Sequence, residues 1–379
     1  MLKNKIYKYL SNEILKNFIT ILLTFSAIAW VVRSVNFLDL MVEDGYNSSV
    51  YFKYSLLNIS TIISRFVPLA FLVSLIMSIV KFERQQELLI LWTSGLNKIK
   101  IANLFLLIAF FITLFQIILS SFVNPFLLNK SRSLLRISDT LQITSTLKSN
   151  DFSDTFKGLT FFISEKNVEN ELLNILIKDT SGNLNTLVKE VGESNNTTIV
   201  AKKGIAGNNK LILFNGFIQT LNKKNEIKNI QFEKTELSLI NMSARTIIHP
   251  KLQETSTGLL LKCIFDQNKN LDIFNCSKKK FKSNSVETLS KRLVSPLYIP
   301  LITIIVSFLL AYKKERKFFF LKKYILFFLS FSLLVLAEIF LKYTGFSWVM
   351  AISYFSLPLI LSMIFYIYLI KKITVERRI

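Results

Sequence analysis

The sequence predicts an α-helical polytopic membrane protein with six transmembrane helices and an inserted, exported antiparallel β domain, a sandwich or jelly roll. Three observations predict it. The 379 residues are 51% hydrophobic, and the mean hydropathy of +0.42 is too high for an ordinary soluble domain. Six long stretches are nearly free of charge, each approaching the ~20 residues a helix needs to cross a ~30 Å hydrocarbon core. Between the third and fourth lies a long segment with the texture of short strands. The formal charge of +22 sits largely between the apolar stretches. That placement argues for positive membrane flanks rather than a nucleic-acid surface. A disordered chain, a disulfide scaffold and a typical cytosolic enzyme are all excluded by this composition.

The spans follow in order. Phe18 to Val32 lie in the first, between Lys16 and Arg33. The second runs from Phe66 to Val80, preceded by Tyr54 to Ser64 and broken by Arg65. Ile101 to Asn129 and Leu293 to Tyr312 form the third and fourth. Tyr324 to Leu341, interrupted by Glu338, is the fifth, and Tyr343 to Ile370 the sixth. The first follows Lys3, Lys5, Lys8 and Lys16 as a signal peptide would, but no small-x-small cleavage site comes after it. It is expected to remain as an anchor.

Lys and Arg in short loops set orientation. The N-terminal tail, the loop Lys81 to Lys100, the loop Lys313 to Lys323 and the tail with Lys371, Lys372, Arg377 and Arg378 are all basic. With six spans they fall on one side, so both termini are predicted cytoplasmic. The chain then divides into residues 1–129 (spans one to three), an exported domain over 130–292, and 293–379 (spans four to six and a cytoplasmic tail).

Residues 130–292 carry 25 basic and 16 acidic residues. Long domains translocate largely regardless of charge. Gly158 to Ser164, Glu171 to Lys178, Thr197 to Lys203, Lys210 to Thr220 and Ile227 to Leu239 read as strands. Turn signals separate them at Ser181 to Asn183, Gly207 to Asn209 and Asn222 to Asn225. The spacing indicates an antiparallel sandwich or jelly roll. Lys130 to Leu147 and Ser285 to Leu293 read as helical extensions of spans three and four. Cys263 and Cys276 both lie in this exported region, and a disulfide or two unpaired thiols both fit their spacing.

The chain has one histidine, His249, and no clustered carboxylates beside it, so neither a zinc site nor a Ser-His-Asp triad is expected. His249 reads as a turn residue. No phosphate-binding glycine loop is present. No catalytic residue, metal or cofactor is therefore expected in this chain. Any ATP-driven work would need a separate polypeptide to bind ATP and Mg²⁺.

The most informative segment is Lys81 to Asn97. Leu88, Leu91 and Trp92 fall on one helical face, charges crowd the start, and Gly95 suits a helix C-terminus. A short amphipathic helix in a cytoplasmic loop lies on headgroups or docks in a groove of a cytoplasmic partner.

At these residues the chain resembles the LptF/LptG permeases of lipopolysaccharide transport. Tyr9-Leu10 and Glu13 stand before span one, Pro68 lies in span two, and Glu87-Leu88 with Ser94-Gly95-Leu96 follow it. Trp30 to Gly45 and the runs Gly158 to Glu165 and Leu213 to Gln219 resemble LptF more than LptG. The resemblance implies an inner-membrane, multi-pass permease of a Gram-negative cell with a periplasmic β-jellyroll domain. It implies a paralogous LptG-type permease, an LptB-type ABC ATPase dimer and an LptC-type periplasmic jellyroll protein as partners, with lipopolysaccharide as cargo. The permease itself is not an enzyme.

Carried onto this chain, the ATPase-coupling residues are Glu83, Arg84, Glu87, Leu88, Leu91, Trp92 and Gly95. Arg33 and Arg65 are candidate lipid-phosphate contacts, with an interface anchor as the plainer reading of Arg33. Glu338 and Lys342, four apart on span five, are candidate gate residues or a simple intrahelical pair. Members of the family often place Glu four residues before Arg at span four; here Glu287 precedes Lys291 by four and Arg292 by five. The Cys263 to Cys276 segment has no counterpart. The rival functions are a mechanotransmitting permease acting on a periplasmic partner without carrying lipid, and a receptor or scaffold without an ATPase.

Overall fold

The computed structural model describes residues 2–42, 46–141, 149–156, 158–166, 171–180, 196–207, 210–221, 227–238, 251–265, 279–311 and 319–378. They form a helical membrane protein with an inserted β domain. Six helices are long and apolar enough to cross a membrane. The chain makes two compact units, one of Met1–Arg33, Asn58–Leu128 and Lys251–Ile379, the other of Ser34–Leu57 and Asn129–Pro250.

The helices are α1 (Leu2–Asn36), a single turn α2 (Asp39–Val42), α3 (Ser48–Arg84), the short α4 (Glu87–Thr93) and α5 (Lys98–Ile118). A π-helical turn over Leu119–Val123 leads into α6 (Asn124–Leu141). After the sheet come α7 (Thr257–Phe265), α8 (Lys279–Leu293), α9 (Tyr298–Ser307), α10 (Phe319–Tyr343) and α11 (Trp348–Arg378). The expected helical flanks of the inserted segment correspond to α6 and α8. Pro68 and Pro358 sit inside α3 and α11, which membrane helices tolerate because neighbouring groups take up the freed carbonyls.

Spans two, three and four make the helical core. The fourth is 78% buried and the second 56%, against 17%, 17% and 11% for the first, fifth and sixth. Every residue of α9 from Tyr298 to Ser307 except Pro300 is buried. Phe71, Phe82 and Phe105 fill the spaces beside it. Buried hydroxyls permit this close approach because each bonds within its own helix: Ser74 to Phe71, Thr113 to Ala109, Thr303 to Ile299 and Ser307 to Thr303. Two polar links join spans two and three. Gln116 donates to the Ser64 carbonyl at 2.6 Å, and Ser60 to Asn124 at 2.6 Å.

The β domain is one six-stranded antiparallel sheet in sequence order: β1 (Phe152–Phe156), β2 (Leu159–Lys166), β3 (Glu171–Asp179), β4 (Asn196–Gly207), β5 (Lys210–Leu221) and β6 (Ile227–Ser238). β1 is additional to the five strands read from sequence. The described strands form a meander, each bonded to the next. Gly207 pairs with Lys210 at the end of the β4–β5 ladder. The turn residues 181–183, 208–209 and 222–225 lie outside the described residues, as does 142–147 of the first flank.

One row crosses the sheet in a special conformation. Asn174 and Asn215 have φ of 51° and 53°, and by register both stand opposite Lys202 on the strand between them. Side-chain alternation changes phase along this row. The inner face passes from Leu172 to Ile175 in β3, from Ala201 to Gly204 in β4, and from Leu213 to Ile218 in β5. A shared left-handed residue bends neighbouring strands together, as a bulge does. Asn is among the few side chains that enter this region cheaply. Gly216 follows at once, and a Cβ there would lie 2.2 Å from the Val200 carbonyl oxygen. The sheet therefore curls over its core of Leu159, Phe161, Ile177, Ile199 and Leu211.

Candidate functional site: a short loop helix and a cationic cluster

The helix predicted within Lys81 to Asn97, expected near residues 83–96, is two pieces. α3 continues through Glu83 and Arg84, then Gln86 turns left-handed with φ of 57° and restarts the chain as α4. The end of α4 is closed by paired bonds, Gly95 N–H to the Trp92 carbonyl and Leu96 N–H to the Leu91 carbonyl, both 3.1 Å. Gly95 has φ of +82°. This is the Schellman arrangement, with Leu96 packed near Leu91 in the core. Asn97 then caps α5 by accepting from Ile99 N–H.

Seven residues make under two turns, too short to hold a helix by itself. Tertiary contacts hold α4 instead. Leu88 and Leu91 are buried in the chain's own core, and Trp92 is half-buried against it with the Lys98 ammonium 5.7 Å from its ring centroid. The outer side is Leu89 and Ile90, 59% and 62% exposed. The docking face expected at Leu88, Leu91 and Trp92 is thus turned inward, and the exposed apolar pair beside them is what a partner would meet.

α1 is bolted to this end of α3 and α4 by three polar links. Tyr9 donates to Glu87 Oε1 at 3.0 Å, Lys81 pairs with Glu13, and Asn17 donates to Ser78 at 2.9 Å. Residues 9, 13 and 17 recur every four positions, one face of α1. Leu10 and Ile14, on the adjoining face, are buried.

At the other end the lipid-contact candidates come together. Arg65 on α3 lies within electrostatic reach of Arg33 in the last turn of α1 and of Glu338 on α10. Arg65 and Glu338 are exposed and Arg33 is half-buried. Glu338 makes no ion pair with Lys342 among the described residues, and Arg65 on α3 lies within its electrostatic reach. Arg33 lies seventeen residues beyond Lys16, and Arg65 sixteen before Lys81. Those separations are about 24–26 Å along a helix, close to the apolar thickness of a bilayer.

Residues 8–372 match the family described as lipopolysaccharide export system permease LptF/LptG. The chain belongs to the LptF/LptG family. It is also 23% identical over 315 residues to the uncharacterized protein RP871 of Rickettsia prowazekii (strain Madrid E), covering 82% of this chain and 84% of that one. The family is a permease component of lipopolysaccharide export, not a catalytic enzyme.

Within the LptF/LptG frame, the residues that carried the resemblance now have contacts. Tyr9 and Glu13 bond to Glu87 at the start of α4 and to Lys81 near the end of α3, Leu10 enters the core, and Gly95 ends α4. Cys263 is buried on α7 and disulfide-bonded; Cys276, the other cysteine of the chain, lies outside the described residues, as does His249. Among the described residues no group of three His, Cys, Asp or Glu could hold a metal. Sequence reasoning missed Leu89 and Ile90, although the run Leu88 to Leu91 is apolar at four successive positions, which one helical face cannot absorb. It also left Arg292 open. That guanidinium, 5% exposed, donates to the carbonyls of Leu252, Gln253 and Thr255 and to Thr257 Oγ1 at 2.9–3.2 Å.

Proposed function

We propose that this chain is the LptF-type permease subunit of an ABC transporter that extracts lipopolysaccharide from the inner membrane and passes it to a periplasmic bridge. Both termini and α4 face the cytoplasm, and the β domain is periplasmic. The observation that carries the reading is α4: a short helix fixed to the core by Leu88, Leu91 and the Tyr9–Glu87 bond, presenting Leu89 and Ile90 outward. An exposed apolar pair on a rigid mount suits a groove in an ATPase partner.

In this reading the ATPase moves α4, and the bolts at Tyr9, Glu13 and Asn17 carry that movement into α1. At the far end of α1, Arg33 with Arg65 offers two cations to lipid phosphates in a partly dry cavity. Glu338 on α10 sets how far those charges attract or release the phosphate. No covalent step occurs in this chain. Transport is differential binding, with one conformation accepting the lipid and the other expelling it. The lightly buried first, fifth and sixth spans leave apolar faces for a paralogous LptG-type permease.

The test is co-purification of the ATPase with the tagged chain from native membranes. Burying an apolar side chain of this size contributes about 1.5–3 kcal/mol. The double substitution Leu89→Glu, Ile90→Glu is expected to lower ATPase association at least about 100-fold while the permease still purifies as a folded protein. Association unchanged by the pair would refute the docking face and remove the main support for the transporter reading.

A further inference from the structure

A groove lies away from the cluster of Arg33 and Arg65. Between α3 and the start of α10 is a groove with a cavity volume of about 720 Å³. On the α3 side it runs from Val73 to Arg84, and on the α10 side from Lys323 to Phe328. Its walls are apolar, including Ile76, Met77 and Phe328, with Met77 55% and Phe328 63% exposed. Its polar groups are gathered at one end: Lys81, Arg84, Gln85 and Lys323.

Eleven residues of helix separate Val73 from Arg84, about 17 Å. That is roughly half of a ~30 Å hydrocarbon core. The groove is therefore one leaflet deep, with its cations at headgroup level. Its volume falls in the range of about 300–1,000 Å³ that encloses small ligands. Lys81 is already paired with Glu13, and the Lys323 ammonium lies 4.8 Å from the Tyr324 ring centroid. Arg84 is exposed at the mouth.

We infer that this groove holds an anionic glycerophospholipid, with an acyl chain along Ile76, Met77 and Phe328 and its phosphate on Arg84 and Lys323. Charge decides the occupant. A membrane helix of a similar permease would bring its own basic belt to the same depth, and like charges there repel. An anionic headgroup complements the rim, and Arg grips phosphate through a planar fork of donors. Naming the leaflet as cytoplasmic rests on the orientation proposed above; the groove and its charge do not. The site differs from the export cargo's in depth, lying at the opposite end of the helices from Arg33 and Arg65.

The test reconstitutes the full-length chain, with whatever subunits co-purify, in phosphatidylcholine nanodiscs. A trace of phosphatidylglycerol carrying a photoactivatable acyl chain is added, and adducts are mapped after irradiation. Adducts are expected on Val73–Arg84 and Tyr324–Phe328. Labelling should fall about fivefold for each of Arg84→Gln and Lys323→Gln. The charge-keeping pair Arg84→Lys, Lys323→Arg should retain it, and Met77→Trp should block it in a protein whose melting temperature is unchanged. Equal labelling by photoactivatable phosphatidylcholine, insensitivity to the Gln variants, absence of adducts, or adducts only to a partner protein would each overturn the proposal. Failure here leaves ATPase association through Leu89 and Ile90 intact, so the two readings fail separately.

Discussion

Arg292 shows how much one side chain can hold. It is buried with no carboxylate paired to it among the described residues, and four neutral oxygens of residues 252–257 accept from its guanidinium. Its own carbonyl accepts from Ser120, while Thr257 donates to the Ser121 carbonyl in the π-helical turn of span three. A π turn leaves carbonyls without their usual partners, and here the returning segment supplies them. Arg292 thus ties spans three and four to the chain's return from the β domain. Arg292→Met keeps the volume but strands several acceptors. It is expected to cost about 3 kcal/mol, read as a lower melting temperature of the detergent-solubilised chain. Lysine should recover only part, because one ammonium cannot reach all four oxygens. Glu287, considered from sequence as its partner, makes no ion pair with Arg292 among the described residues.

At the scale of elements, α4 and the β-sheet illustrate opposite cases. The sheet was largely legible: alternating apolar runs and turn residues located five of its six strands. The phase change at Asn174, Lys202 and Asn215 was not, because it depends on two left-handed residues meeting across three strands. Gly216 marks the tightest point of that bend, where a side chain would meet the Val200 carbonyl and the Phe232 ring. Gly216→Val is expected to destabilise the domain by about 1–3 kcal/mol. Faster limited proteolysis within 150–238, with the helical spans unaffected, is the measurement. In α4 the sequence orders the residues on a face but does not say which face is inside. Leu88, Leu91 and Trp92 do share a face, yet that face packs on the molecule's own core.

For the whole molecule the division of burial among spans is the informative quantity. Spans two, three and four shelter one another, whereas α1, α10 and α11 expose Leu23, Val31, Phe340, Ile352 and many more. In the proposed transporter, lipid would cover some of this surface and the paralogous permease the rest. Single cysteines at the exposed Leu23 or Val31 of α1 are expected to form oxidative crosslinks to cysteines placed on that partner in native membranes. A cysteine at Leu22, only 7% exposed, should form none. Crosslinks from the buried position alone, or from no position, would place the partner elsewhere.

The sequence by itself determined the six spans, the inserted β domain, its antiparallel pairing and the family. Those features rest on local patterns: span length, charge at the flanks, alternation and turn residues, all fixed by the solvent each segment must meet. Tertiary structure alone decided which face of α4 is free, which charges cluster and what satisfies Arg292. Helical period orders residues on a face but does not say what the face meets. The links Tyr9–Glu87, Lys81–Glu13 and Asn17–Ser78 join residues more than sixty positions apart. Only packing of the helices brings their side chains within range, because hydrogen bonds and ion pairs act over a few ångströms, whatever the separation along the chain.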